Sequence, residues 1–146
     1  MSQNEVSQLL SALRDAGLKL TPQRLAIAEA IAGDCSHPTA QQLHERLAPR
    51  FPTMSVATVY NTLSALIEVG QCRSIHLGAV TRFDPNVSHH DHAVCDRCGA
   101  MVDVPCQEGA DRAPGRALRG FRVAHIERVY RGLCAPCAGA ASPEHS

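Results

Sequence analysis

The sequence predicts an α+β fold in which helices occupy the first half of the chain and short strands the second. Apolar residues recur at helical spacing in four segments between residues 5 and 70. Two strand-like runs follow, residues 72–77 and 80–83, and Gly78 and Ala79 between them fit a tight hairpin. Several short helices followed by a β-hairpin is the order of a winged helix-turn-helix domain, whose last helix before the hairpin would enter a groove of DNA.

The four predicted helices are bounded by residues with known preferences. Hydroxyl side chains precede three of them and can accept hydrogen bonds from the first backbone N–H groups. The predicted N-caps are Thr21, Thr39 and Ser55. Glycine, which readily adopts the left-handed conformation that ends many helices, closes the first, second and fourth helices at Gly17, Gly33 and Gly70.

A change of composition at Asp84-Pro85-Asn86 predicts a hinge between two domains. The predicted boundaries are residues 1–83 for a winged-helix DNA-binding domain, residues 84–137 for a small α/β domain and residues 138–146 for a disordered tail. In the second domain, we expect strands at residues 92–94, 100–104 and 122–131, and a weakly amphipathic segment at residues 107–119.

Composition limits the possible partners of the protein. The 146 residues suffice for one ordinary domain or two small ones, and the 3% aromatic content requires an aliphatic core. The 14 basic residues balance the 14 acidic ones, so net charge supports neither a nucleic-acid nor a membrane partner. The first ten residues do not resemble a signal peptide, and we expect a cytoplasmic protein. In that reducing compartment seven cysteines favour metal or redox chemistry over disulfides.

The outward face of the fourth helix carries small polar side chains that suit a DNA groove. Hydroxyl groups can contact phosphates, a tyrosine can contact phosphate or a thymine methyl group, and an asparagine suits a base edge. The predicted DNA-binding residues are Ser55, Ala57, Thr58, Tyr60 and Asn61. An ordinary surface helix with a few polar residues remains the alternative at this point.

Two CxxC pairs, Cys95 with Cys98 and Cys134 with Cys137, predict a zinc site. Each pair lets two thiolates approach one ion, and two pairs complete the tetrahedral set that Zn²⁺ favours. A closed four-thiolate site has no open coordination position, so it would be structural and would stabilise a small domain with little core. The alternative is four unrelated buried cysteines.

The run His89-His90-Asp91-His92 offers ligands for a second site. In a strand, His90 and His92 point to one face, while His89 and Asp91 point to the other. Side chains that could complete the first pair are Asp84, Asp103 and His37. A mixed nitrogen and oxygen set suits Fe(II) or Mn(II), and Zn(II) less selectively. Isolated surface or hydrogen-bonded histidines are the alternative.

Three cysteines remain outside the CxxC pairs. We expect Cys35, Cys72 and Cys106 to act as small buried hydrophobic residues, although Cys35 is close enough to His37 for a redox or ligand role. A metal-dependent hydrolase could use a histidine and aspartate site with an open position. The sequence offers no general base outside the ligand set, so we expect no enzyme.

These motifs together resemble the ferric uptake regulator (Fur) superfamily over nearly the whole chain, and most closely its peroxide-sensing PerR branch. The matching motifs are TPQR at 21–24, HPTA at 37–40, FPTMSVATVYNTL at 51–63, RFD at 82–84, HHDHAVCDRCG at 89–99 and CAPC at 134–137. Three features favour the peroxide-sensing branch. They are Asn61 in MSVATVYN, His37 in HPTA, and Asp103 where iron sensors tend to carry Glu.

The resemblance implies a homodimeric repressor of transcription that binds a palindromic operator when a regulatory metal, Fe(II) or Mn(II), is bound. The implied ligands of that metal are His37, Asp84, His90, His92 and Asp103, beside the structural zinc. With Fe(II), peroxide would lead to oxidation of a ligand histidine, His37 or His90, which would weaken metal binding and release the DNA.

One feature keeps an iron-responsive repressor of metal-uptake genes open as the alternative. The run HHDH resembles iron-uptake regulators, which can bind a further metal with the first histidine and the aspartate of the run plus a downstream glutamate and histidine. The residues of such a third site would be His89, Asp91, Glu108 and His125.

Overall fold

The computed structural model describes residues 3–106, 118–124 and 126–140, and the chain divides into two compact units, Met1–Val87 and Ser88–Ser146. The N-terminal unit has four helices followed by two strands. Its elements are α1 (Gln3–Asp15), α2 (Pro22–Ile31), α3 (Ala40–Leu47), α4 (Val56–Glu68), β1 (Arg73–Leu77) and β2 (Val80–Asp84). The predicted α+β class is confirmed.

Three of the four helices of the N-terminal unit begin at the predicted caps. The hydroxyl oxygen of Thr21 accepts the backbone N–H of Arg24, and that of Ser55 accepts the N–H of Thr58. Thr39 forms a full capping box with Gln42, in which each side chain accepts the other residue's backbone N–H. Each cap stabilises its helix by about 1 kcal/mol, so these local contacts fix where α2, α3 and α4 start.

The core of the N-terminal unit is aliphatic, as the composition requires. Its fully buried side chains come from all four helices, and Phe83 of β2 packs against them. The largest aliphatic members are Leu13, Ile27, Ile31, Leu43, Leu63 and Leu66. Each such side chain stabilises the fold by about 1.5–3 kcal/mol when removed from water. Packing against this core therefore fixes the position of α4 within the N-terminal unit.

The strands β1 and β2 form an antiparallel hairpin, the predicted wing. Leu77 pairs with Val80, and Gly78 occupies the turn with a φ of 63°, which glycine adopts without steric penalty. At the other end of the ladder Arg73 pairs with Asp84. Asp84 is therefore the last residue of the wing.

The C-terminal unit contains a three-stranded sheet and a short helix. Its elements are β3 (His90–Cys95), β4 (Met101–Pro105), β5 (Val129–Gly132) and α5 (Ala135–Gly139). The strand order is β4-β3-β5, with β4 antiparallel and β5 parallel to β3. The central strand places His92 opposite Asp103 on one side and Val129 on the other.

Two sequence predictions for the C-terminal unit need correction. The predicted strand at residues 122–131 is wrong at its start, because residues 122–124 and 126–128 form no regular structure and only Val129–Gly132 pair with β3. The helix α5 extends through Gly139, into the segment predicted as a tail from residue 138.

Residues 107–117 and 141–146 lie outside the described residues. Within the described part of the chain, no helix is long and apolar enough to cross a membrane.

Candidate metal centres and nucleic-acid interface

The four predicted zinc ligands converge in the C-terminal unit. The sulfur atoms of Cys95, Cys98, Cys134 and Cys137 all lie within 4.8 Å of one another, and the Sγ atoms of Cys98 and Cys134 are 3.7 Å apart. Zinc–sulfur bonds of about 2.3 Å in a tetrahedron place neighbouring sulfurs about 3.8 Å apart. The donor set and its spacing therefore fit Zn²⁺.

Local structure at the two CxxC turns explains why these sulfurs meet. Cys95 ends β3, and Gly99 turns the chain with a φ of 75°. Cys134 is the N-cap of α5, so its partner follows within the first turn of that helix. Arg97 links the two turns by donating from Nη1 to the backbone oxygen of Cys137 at 3.1 Å.

The thiol pKa values of this cluster show why it needs a cation. Backbone N–H groups of Cys134 and Cys98 lower the pKa of Cys95 to about 6. Hydrogen bonding of the Cys137 thiol to Cys134, together with burial, raises the pKa of Cys137 to about 12. Four thiolates this close cannot all be ionised at neutral pH unless a positive charge lies between them.

A second group of ligand atoms lies on β3 and β4 of the C-terminal unit. The Nε2 atoms of His90 and His92 are 3.0 Å apart, and Oδ1 of Asp103 lies 3.2 Å from the first and 3.5 Å from the second. Metal–ligand bonds of about 2.1 Å in an octahedron place neighbouring ligand atoms about 3.0 Å apart. These three residues therefore form one face of a site with the spacing and mixed donors that Fe(II) or Mn(II) accepts.

The orientation of His90 is fixed by its backbone neighbour. Nδ1 of His90 lies 2.6 Å from the backbone oxygen of Ser88, which can only accept a hydrogen bond. Nδ1 therefore carries the proton, and Nε2 of the neutral imidazole keeps a lone pair directed toward His92 and Asp103. Such a hydrogen bond is how proteins usually orient a histidine that binds metal.

The N-terminal unit contains its own pair of candidate ligands. Nε2 of His37 lies 3.4 Å from Oδ2 of Asp84, and both side chains are buried. The backbone N–H of Asn86 donates to Oδ1 of Asp84 at 2.9 Å, so the other carboxylate oxygen faces His37. Burial of a histidine beside a carboxylate is expensive unless hydrogen bonds or a cation compensate it. The pair is thus suited to complete a ligand set.

The structure gives Asp91 a partner that the sequence did not suggest. Strand alternation predicted that Asp91 and His89 face away from His90 and His92, either toward solvent or in a third metal site. His89 is exposed, but Asp91 is only 4% exposed, and Nη1 of Arg128 lies 3.4 Å from its Oδ2. A solvent-facing Asp91 is therefore wrong. Glu108 and His125, the other residues of the predicted third site, lie outside the described residues.

The three remaining cysteines have different environments. Cys72 is buried in the N-terminal core, and burial raises the pKa of its thiol to about 12. Cys106 is half-buried. Cys35 is exposed, so its predicted burial is wrong, because the loop after α2 turns it toward solvent.

The predicted recognition helix presents most of its polar face to solvent. Ser55, Ala57, Tyr60 and Asn61 are exposed, and Thr58 is half-buried. The hydroxyl groups of Ser55 and Thr58 are 3.0 Å apart at the start of α4, where backbone N–H groups also favour an anion. The Tyr60 ring packs edge-on against Phe83 of the wing, with ring centroids 5.7 Å apart, and the Tyr60 side chain remains exposed. This face has the residue types that contact phosphates and base edges.

One face of the C-terminal sheet is apolar and exposed. Val102, Ala93 and Tyr130 lie in one row across the three strands. With Leu133 they line a groove of about 280 Å³. Val102, Tyr130 and Leu133 are each about half exposed, and apolar side chains exposed together can mark an interaction surface.

Known proteins match this chain over most of its length. The sequence model of the ferric uptake regulator family matches residues 15–130. The peroxide operon regulator of Bacillus subtilis (strain 168) is 38% identical over 141 residues, which cover 94% of this chain and 97% of that protein. The peroxide-responsive repressor PerR of Staphylococcus epidermidis is 34% identical over 137 residues, which cover 92% of this chain and 91% of that protein.

Solved structures also match this chain over most of its length. The Helicobacter pylori ferric uptake regulator superposes with a TM-score of 0.75 over 96% of this chain and 95% of its own; at 16% identity this likeness shows the fold alone. A zinc uptake regulator solved with zinc and DNA has a TM-score of 0.72 and 25% identity over 94% of this chain and 95% of its own. The predicted resemblance and the predicted winged-helix architecture are confirmed.

Proposed function

The chain belongs to the ferric uptake regulator family, and on that premise we propose that it is a metal-dependent DNA-binding repressor that senses hydrogen peroxide. The observation that carries this proposal is the convergence of His90, His92 and Asp103 at the spacing of neighbouring metal ligands. The names of its relatives in Bacillus and Staphylococcus support peroxide as the signal.

The regulatory ion would take its ligands from both units of the chain. His90, His92 and Asp103 supply three donors, which leaves an octahedral ion short of ligands. His37 and Asp84 supply two more from the N-terminal unit. We propose that one Fe(II) or Mn(II) ion joins the two sets, so that metal binding fixes the DNA-binding unit relative to the rest of the protein.

Within the N-terminal unit, contacts connect the metal ligands to the DNA-binding elements. His37 lies two residues before the N-cap of α3, and Asp84 ends β2 of the wing. The preceding wing residue, Phe83, contacts Tyr60 of α4. Ligation of His37 and Asp84 would therefore act on the same elements that present Tyr60 and Asn61 to DNA.

The donor set also explains a response to peroxide. An Fe(II) ion held by these residues would supply the electron that reduces hydrogen peroxide to a short-lived oxidant, a chemistry that Mn(II) would not supply. The imidazoles of His37 and His90 would be held within reach of that oxidant by their ligand roles. An oxidised imidazole would be a poorer donor, so metal binding would weaken and DNA would be released.

Zinc has a separate, structural role in this proposal. The four cysteine ligands leave no coordination position for a substrate or for peroxide. The zinc site joins the end of β3 to α5 and therefore maintains the strand that carries His90 and His92. The relatives of this chain are named as a regulator and a repressor.

The apolar sheet face supports a homodimer. Val102, Tyr130 and Leu133 would be covered by the same face of a second copy, as symmetric dimers reuse one patch. A dimer presents two copies of α4 to two half-sites of a palindrome, and the relative whose structure contains DNA supports that partner.

The iron-responsive alternative is not favoured. Its main support in the sequence was the third site, but the carboxylate of Asp91 pairs with Arg128. A guanidinium neutralises that carboxylate without a metal ion. The peroxide-regulator names of the relatives add to this argument.

Mass spectrometry of the ligand peptides tests the peroxide claim. Iron-loaded protein is exposed to peroxide and digested, and the peptides that contain His37 and His90 are weighed. We expect oxygen to be added to at least one of them in the iron form and to neither in the manganese form. Unchanged masses in the iron form would refute peroxide sensing, while the zinc-only protein serves as the control.

A further inference from the structure

His37 has an unusual backbone conformation for a residue with a side chain. Its φ is 53°, in the left-handed region that favours glycine. Among the described residues it is the only one other than glycine with a positive φ. Such a conformation persists only where surrounding contacts impose it, and it is typical of functional sites. The contacts that impose this conformation therefore determine how the His37 side chain is presented.

One arginine of the wing makes most of these contacts. Nε of Arg82 donates to the backbone oxygen of His37 at 2.6 Å, and Nη2 donates to the oxygen of Ser36 at 3.1 Å. The backbone N–H of the next residue, Phe83, donates to the oxygen of Pro38 at 2.9 Å. Three consecutive carbonyl groups around His37 are thus held by two consecutive residues of β2.

A second arginine holds the same loop from the side of α3. Arg46 donates from Nη1 to Oδ2 of Asp34 at 2.7 Å and from Nη2 to the hydroxyl of Ser36 at 3.1 Å. The backbone N–H of Ser36 donates to Oδ1 of Asp34 at 2.8 Å. The Arg46 contacts are exposed, whereas the hydrogen bond from Nε of Arg82 to His37 is partly buried. Arg82 is therefore the more constrained of the two.

We propose that Arg82 is a positioning residue that sets the affinity of the regulatory metal by holding His37 in its left-handed conformation beside Asp84. This inference rests on the proposed function, because it assumes that His37 is a ligand. Arg82 does not contact the metal in this proposal. Its planar guanidinium bridges two carbonyl groups at a fixed separation, so the His37 ring needs no rearrangement before it binds.

The geometry favours arginine over other residues at this position. A lysine keeps the positive charge, but its single ammonium group cannot reproduce the planar fork that meets the oxygens of Ser36 and His37 together. A glutamine removes the charge and shortens the side chain. The two substitutions therefore separate the role of charge from the role of the fork.

The test measures the affinity of Mn(II) in zinc-loaded protein for wild type, Arg82→Lys, Arg82→Gln and His37→Ala. Loss of a residue that orients a ligand typically weakens metal binding about 10–100-fold. We expect a loss in that range for Arg82→Gln and a smaller loss for Arg82→Lys. Arg24→Lys is the matched control, because Arg24 donates to a single carbonyl group, that of Lys19, away from the His37 loop. Its Mn(II) affinity should equal that of wild type.

Two readouts separate positioning from simple loss of structure. Zinc content and melting temperature should change little in Arg82→Lys, while the backbone amides at Ser36 and His37 should exchange faster with solvent. In wild type, the Nε–H of Arg82 should exchange slowly, since it is half-buried and donates to a carbonyl group. Rapid exchange of the Arg82 Nε–H with solvent in wild type would overturn the inference.

The outcomes distinguish this inference from the proposed function. If His37→Ala weakens Mn(II) binding but both Arg82 variants bind like wild type, the positioning role is refuted and the ligand role stands. If His37→Ala itself binds Mn(II) like wild type, the proposed function fails and the inference fails with it. Weakened binding in His37→Ala and in Arg82→Gln, with Arg24→Lys unchanged, supports both.

Discussion

Substitution of one zinc ligand, Cys134→Ser, should unfold the C-terminal unit and leave the N-terminal unit folded. Among the described residues of the C-terminal unit, the buried apolar side chains besides the ligand Cys95 are Val94 and Met101. At about 1.5–3 kcal/mol each they contribute about 3–6 kcal/mol. Binding of structural zinc at neutral pH is worth about 10–16 kcal/mol. The free energy of zinc binding is therefore larger than that of apolar burial, and this sheet should unfold when zinc is lost.

Amide hydrogen exchange, resolved by segment, is the assay for this prediction. In Cys134→Ser, the amides of β3, β4 and β5 should lose protection, while those of α2 and α4 keep it. Cys35→Ser is the matched control, because it removes an exposed thiol of the N-terminal unit and should leave the zinc content unchanged. Retained protection of β3 in a zinc-free variant would refute the reasoning. Zinc affinity should also fall as pH falls, since protons compete for thiolates such as Cys137, whose metal-free pKa is about 12.

Three further predictions concern the core, the buried ion pair and the recognition helix. Burial raises the pKa of the Cys72 thiol from 9.0 to about 12 in the folded protein. The contribution of the protonated thiol to stability is therefore complete below pH 9 and is lost as the pH rises toward 12. Melting curves at pH 8 and pH 10 should show this loss in wild type but not in Cys72→Val. Arg128→Ala should destabilise the protein by about 2–3 kcal/mol in urea unfolding, at the low end for a buried pair because Arg128 is 29% exposed. Adding Asp91→Asn to that variant should restore most of the lost stability. A double variant no more stable than Arg128→Ala would contradict the pairing. Asn61→Ala should weaken operator binding by about 1–3 kcal/mol in fluorescence anisotropy with metal affinity unchanged, and equal affinity for wild type and variant would exclude Asn61 from the interface.

Local signals made the N-terminal unit and the zinc ligands predictable. A helix cap depends on residues three apart, as Thr39 and Gln42 illustrate, so the sequence contains all of the information needed to locate it. The CxxC spacing is equally local, because the two sulfurs of one turn approach each other wherever the turn lies. Only the meeting of the two turns required the fold.

Long-range pairing explains what the sequence did not reveal. Arg128 follows Asp91 by 37 positions, and no periodicity links an arginine in an irregular segment to a carboxylate on β3. The start of β5 depends on which residues lie opposite β3, so an apolar run alone placed it too early. The Arg82 contacts with the His37 loop span 45 and 46 positions and were missed for the same reason. The RFD motif at residues 82–84 was the available signal.

Operator binding by the metal-loaded protein, before and after peroxide, tests the central claim most directly. Zinc-loaded protein is supplied with either Fe(II) or Mn(II), and its binding to a palindromic operator is measured with and without hydrogen peroxide. We predict that both metals support binding and that peroxide abolishes binding by the iron form alone. Binding by the iron form that survives peroxide, or equal loss in the manganese form, would contradict a sensor that acts through its metal ligands.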